Sequence, residues 1–81
     1  MQAEDVAELV RKELPDCEIQ VQNDGNHYLV VAVGERFEGM SPVKKQQLIY
    51  SALNEQLAEG TIHALTIKAF TPAQWAARQG Q

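Results

Sequence analysis

HYLVVAV (residues 27–33), SPVKKQQLIYSALNEQLAEG (41–60) and TIHALTI (61–67) read in turn as strand, helix, strand. The first is an almost continuous apolar run rich in valine, and a strand apolar on both faces belongs at the centre of its sheet. The second is punctuated at both ends. Ser41 stands as N-cap, Pro42 takes the first helical position and Gly60 falls just past the last turn. Its expected core stripe is Val43, Ile49, Tyr50, Leu53 and Leu57, with Gln46 and Gln47 interrupting it early and predicting a bend or separate first turn there. The third stretch, Thr61 to Ile67, reads as a strand. A helix that links two strands of one sheet carries the chain back to its starting end, so the strands at 27–33 and 61–67 are expected to be parallel neighbours joined by a right-handed crossover.

Working outward, Cys17, Ile19 and Val21 alternate with Glu18, Gln20 and Gln22, the period of a half-exposed strand. The turn cluster Asn23-Asp24-Gly25-Asn26 joins it to the valine-rich strand as an antiparallel hairpin. Before it, Gln2 to Leu14 places Ala3, Val6, Ala7, Val10 and Leu14 on one stripe of an amphipathic helix that Pro15 stops. Phe37 is expected to anchor the loop from Gly34 to Met40. Thr71-Pro72-Ala73-Gln74 has the form of a capping box opening a short helix that carries Trp75, and residues 78–81 are expected to fray. The predicted fold is α+β: one domain over residues 1–81, with helices packed on one face of a three-stranded mixed sheet made of an antiparallel hairpin plus one parallel strand.

Composition bounds the function. At 44% apolar and 22% charged, the chain is an ordinary globule, and a domain of this length buries roughly 60–65% of its unfolded surface. The net charge of −4 is uneven: residues 1–40 hold nine acids against three bases, whereas residues 41–81 hold four bases against two acids. Overall acidity argues against generic polyanion binding, which needs clustered Lys and Arg. No apolar run is long enough to span a bilayer, and no basic-then-apolar leader opens the sequence, so a cytoplasmic location is expected. Cys17 is the single cysteine, which excludes an internal disulfide and any CxxC motif. With no Ser/His/Asp grouping, HExxH or phosphate-loop glycines, nothing proposes an enzyme.

The chemistry-bearing residues are two histidines. His27 opens the second strand and His63 opens the third. In parallel neighbours spaced about 4.8 Å apart, both lie at one end of the sheet and can approach one metal centre. Cys17 falls at the other end, about 15–20 Å away, and reads as a small buried hydrophobe. Spacing alone leaves two readings open, a surface residue and a hydrogen-bonded one, which is the commoner case, or a pair of ligands, and imidazole suits iron and zinc alike. Two histidines do not fill four coordination positions. Any metal here needs ligands from a partner, a small thiol or water.

The run FEGMSPVKKQQLIY (37–50) followed by GTIHALTIKAFTPAQW (60–75) resembles the BolA-like family across nearly the whole chain, and DGNHYLVVAVGERFEG (24–39) with VKKQQ (43–47) resembles its IbaG branch. The resemblance implies a fold like the type II KH domain. It further implies that His63, in the IHAL motif, ligates a 2Fe–2S cluster shared with a monothiol glutaredoxin, which supplies a cysteine, and with glutathione, which supplies a thiolate. His27 matches the position where several members carry a second ligand. Cluster trafficking, iron or stress sensing and transcription regulation are the roles implied. Many members carry Arg-His in the middle helix where this chain has Lys45-Gln46, so whatever that pair contributes is not carried over.

The rival reading is a DNA-binding regulator of KH-like fold using the region of Lys44 and Lys45. Those cations sit in the first turn of a helix, where the macrodipole disfavours them, and Arg36 and Lys68 would extend the patch. The backbone-gripping GXXG loop is absent, because Gly39-Met40-Ser41-Pro42 has proline in place of the second glycine. DNA and a weak homodimer are thus further expected partners beside glutaredoxin.

Overall fold

The computed structural model describes residues 1–79. In chain order it contains α1 (Ala3–Glu13), β1 (Glu18–Asp24), β2 (His27–Val33), a single 3-10 turn (Glu35–Phe37), α2 (Pro42–Ala52), α3 (Asn54–Glu59), β3 (Ala64–Phe70) and α4 (Pro72–Gln79). The sheet order is β1-β2-β3. β1 pairs antiparallel with β2, from Glu18 opposite Val33 to Asp24 opposite His27. β2 pairs parallel with β3, from His27 opposite Ala64 to Val33 opposite Phe70. The mixed sheet expected from the helical crossover is therefore the one found, with the valine-rich strand at its centre.

Alternation along these strands divides the sheet into two faces. Ile19, Tyr28, Val30 and Ala32 point into one core with Val6, Ala7, Val10 and Leu14 of the first helical segment and Ile49 and Leu53 of the second. Glu18, Gln20, His27, Val31, Thr66 and Lys68 occupy the other face by the same parity. Phe37, 1% exposed, does anchor its loop. The main chain turns back on itself there, with the Phe37 N–H donating to the Gly34 carbonyl at 3.3 Å and the Met40 N–H to the Phe37 carbonyl at 3.1 Å.

Three expectations need correction. The middle helix does not bend at Gln46–Gln47; it breaks at Leu53, whose φ of −115° and ψ of 13° end α2 and start α3. α2 turns Ile49 and Leu53 inward, both fully buried, so Val43 and Tyr50 on its neighbouring face are exposed and not part of the core stripe. The third strand begins at Ala64 and runs to Phe70, not from 61 to 67. Ile62 is buried, yet its N–H donates to the carbonyl of Gln56 at 3.2 Å, so it belongs to the turn off α3.

The Thr71 capping box is present in both directions. The Thr71 N–H donates to Gln74 Oε1 at 2.9 Å, and the Gln74 N–H donates to Thr71 Oγ1 at 3.2 Å. α4 continues through Arg78, so the fraying expected from that residue does not start there; residues 80 and 81 lie outside the described residues. Trp75 meets Phe70 with ring centroids 5.4 Å apart, and the Arg78 guanidinium lies over both rings. That stack fastens α4 to the end of β3.

Candidate metal-binding rim

Two chain reversals bring the histidines to one end of the sheet. The hairpin reverses through Gly25 and Asn26, and only Gly25 takes positive φ, at 63°. His27 follows at once as the first residue of β2. At the second reversal Gly60 caps α3 with a left-handed φ of 80°. Ile62 then buries its side chain, which leaves His63 exposed in front of β3. His63 thus stands one residue before Ala64, the register partner of His27. Parallel pairing sets both histidines on a common rim.

Their rings have different surroundings. The His27 Nε2 is 2.7 Å from Thr66 Oγ1, and Thr66 lies two residues along β3 from Ala64 on the same face. The His63 ring folds back over Gly60, with its Cε1 4.0 Å from where a Cβ on that glycine would stand. Among the described residues, no hydrogen bond engages the His63 ring, in contrast to that of His27. Nor do the described residues hold any group of three or more His, Cys, Asp or Glu side chains placed for a metal ion. The rim therefore offers donors but not a complete ligand set of four.

Cys17 lies at the opposite rim. It precedes Glu18, which pairs with Val33, so a whole strand of about 20 Å separates it from the end where Asp24 pairs with His27. Burial pushes its thiol pKa up, the neighbouring Asp16 carboxylate adds to the rise, and Arg36 opposes both. A thiol held protonated is a poor ligand and a poor nucleophile.

The four basic residues are not gathered into one surface. Arg36 grips Asp16 at the Cys17 rim, with Nη2 2.7 Å from Oδ1 and Nε 3.0 Å from Oδ2. This fork of charge-assisted bonds holds the Asp16 carboxyl below its ordinary range. Lys44 and Lys45 sit in the first turn of α2, which packs on the inner side of the sheet. Lys68 projects from β3 on the other face, in register with Val31. The sheet itself separates it from the lysine pair.

Sequence reasoning missed two residues of the rim, Thr66 and Gly60. Both carry a signal once the register is known. Thr66 is on the same face as His27, two residues past its partner; Gly60 is the left-handed stop that brings His63 out.

The family model described as BolA-like protein matches residues 7–74, all but the two ends of the chain. The chain belongs to the BolA-like family. It is 47% identical over 76 residues to the acid stress protein IbaG of Escherichia coli K12, covering 94% of this chain and 90% of that one. BolA1 from Mus musculus superposes with a TM-score of 0.81 at 34% identity, covering 95% of this chain and 70% of that structure. A BolA homologue from Coxiella burnetii superposes with a TM-score of 0.80 at 26% identity, covering 94% and 97%. In this chain the BolA-like fold places two histidines at one end of the sheet and the single cysteine at the other. No helix among the described residues is long and apolar enough to cross a membrane.

Proposed function

We propose that this BolA-like chain is a non-enzymatic partner of a monothiol glutaredoxin and that the two proteins share a 2Fe–2S cluster. The observation that carries this reading is the exposed, unbonded imidazole of His63 on the same rim as His27, where the chain's own donors stop short of a complete set. An incomplete and accessible ligand set suits a site finished by a second protein. His63 supplies one imidazole nitrogen and His27 the second. Gly60 leaves the space beside the His63 ring clear of side-chain atoms. The remaining ligands are the partner's cysteine and the thiolate of glutathione. Bound in this way, the cluster supplies a transferable iron–sulfur unit, and imidazole ligation raises its potential above that of an all-thiolate cluster. Iron–sulfur trafficking or iron and stress sensing in the cytoplasm is the corresponding role.

DNA binding through Lys44 and Lys45 has less support. Arg36 is committed to Asp16, and Lys68 faces away from the lysine pair. Co-expression with a monothiol glutaredoxin, followed by visible absorption and circular dichroism of the purified complex, tests the proposal. A coloured complex is expected from the unaltered chain, loss of the mixed-ligand spectrum from His63→Ala, and a smaller change from His27→Ala. A tight but colourless complex refutes the cluster reading.

A further inference from the structure

We infer that Thr66 is a positioning residue for His27: its hydroxyl oxygen accepts the Nε2–H of the ring and leaves Nδ1 as the nitrogen that faces a metal. This inference rests on the proposed cluster reading and adds to it the ligating atom and the group that selects it.

The bond joins residues on adjacent strands. His27 is exposed at the start of β2, and Thr66 Oγ1 lies 2.7 Å from the Nε2 at the tip of its ring. The pairing of His27 with Ala64 fixes the offset, because Thr66 is the next residue of β3 on that face. A neutral imidazole has one N–H and one lone pair, and the partner of one nitrogen determines which tautomer the other presents. A ligating histidine characteristically donates its second ring N–H to an oxygen, which fixes the tautomer and the ring plane. Thr66 is the only oxygen-bearing side chain in hydrogen-bond contact with this ring among the described residues. With Nε2 donating to the Thr66 hydroxyl, which as a hydroxyl is also able to donate, Nδ1 is the nitrogen left with a free lone pair. His63 has no such partner, so the two histidines differ in preparation: one is oriented before the partner arrives, the other is oriented by it.

Thr66→Val removes the oxygen while keeping the β-branched shape that strands favour, and Thr66→Ser keeps the oxygen. The full-length chain labelled with 15N-histidine gives the tautomer state of His27 from long-range proton–nitrogen spectra at pH 8, without any metal. The unaltered and Thr66→Ser chains are expected to show His27 with Nε2 protonated and Nδ1 bare, and Thr66→Val a mixed signal. In the reconstituted glutaredoxin–glutathione complex, release of iron to a chelator is expected to be about tenfold faster for Thr66→Val and within about twofold of the unaltered rate for Thr66→Ser. His27 carrying its proton on Nδ1 in the unaltered chain overturns the inference, as does a Thr66→Val chain that matches the unaltered one in both measurements. A colourless complex from the unaltered chain removes the cluster reading instead, and the metal-free spectra then decide the ring assignment by themselves.

Discussion

Gly34→Ala is expected to destabilise the fold by about 1–2 kcal/mol through one neighbour, Cys17. Gly34 has extended backbone, φ −169° and ψ 150°, so alanine meets no conformational penalty there. Its trouble is space: a Cβ on Gly34 would overlap the Cys17 Sγ and stand 3.3 Å from the Cys17 Cβ. The Gly34 N–H donates to the Phe70 carbonyl at 3.0 Å, which extends the β2–β3 ladder and resists any backbone retreat. Overpacking of this kind costs about 1–3 kcal/mol. Against it, the loss of glycine's freedom in the unfolded chain contributes about 0.4–1 kcal/mol of stabilisation. The difference is a net loss that lowers the melting temperature by about 5–15 °C for a chain of this size. Cys17→Ala removes the overlapping sulfur, so in that background the same glycine substitution is expected to cost less, with a coupling of about 1 kcal/mol. Urea unfolding of the two single variants and the double variant gives the cycle directly. A Gly34→Ala midpoint equal to or above that of the unaltered chain refutes the reasoning, and so does strict additivity.

Thr71→Ala removes one half of the α4 capping box and is expected to cost about 1 kcal/mol, read by thermal unfolding monitored at Trp75. Gly60→Ala forces a side chain into a left-handed conformation and is expected to cost about 1–2 kcal/mol in denaturant unfolding. The depressed Asp16 carboxyl contributes stability that is present above its unfolded pKa and lost as pH falls through the lower folded value. Asp16→Asn is therefore expected to flatten the acid limb of the melting temperature below about pH 4. The raised Cys17 thiol acts in the opposite sense. Its contribution is present below the unfolded pKa and is lost as pH rises through the folded value, so Cys17→Ala is expected to flatten the alkaline limb above about pH 9.

Much of the fold was legible because its decisive signals are local. Ser41-Pro42 and Gly60 bracket the helical segment, and a helix between two strands of one sheet leaves little freedom of direction. The break at Leu53 had no such mark. Neither glycine nor proline stands near it; the Leu53 N–H bonds to the carbonyl of Tyr50 and the Leu53 carbonyl accepts from Leu57, so one helix hands over to the next through a single residue. Val43 and Tyr50, two turns apart on one face of α2, are exposed because Ile49 and Leu53 take the inward face. The strand at 64–70 was misplaced by three residues because Ile62 is as buried as a strand residue while belonging to a turn. At the rim, the shared end of the two histidines followed from topology alone. The Thr66 contact required the register, which the hydrophobic pattern fixes only to within a repeat of two. The pairing of Arg36 with Asp16 joins two loops and has no sequence spacing to announce it.

His27 and Ala64 are register partners although 37 positions separate them in the chain. The hairpin of β1 and β2 needs only a two-residue reversal and closes on a microsecond scale, about 1–10 μs in isolated examples. The β2–β3 pairing closes a much longer loop, whose entropy is lost before the distant strand repays it. The two histidines therefore share an end of the sheet through this long-range pairing and not through the hairpin. A nascent or partly unravelled chain with β3 unpaired has no such rim, so any site built there exists only once the crossover has closed.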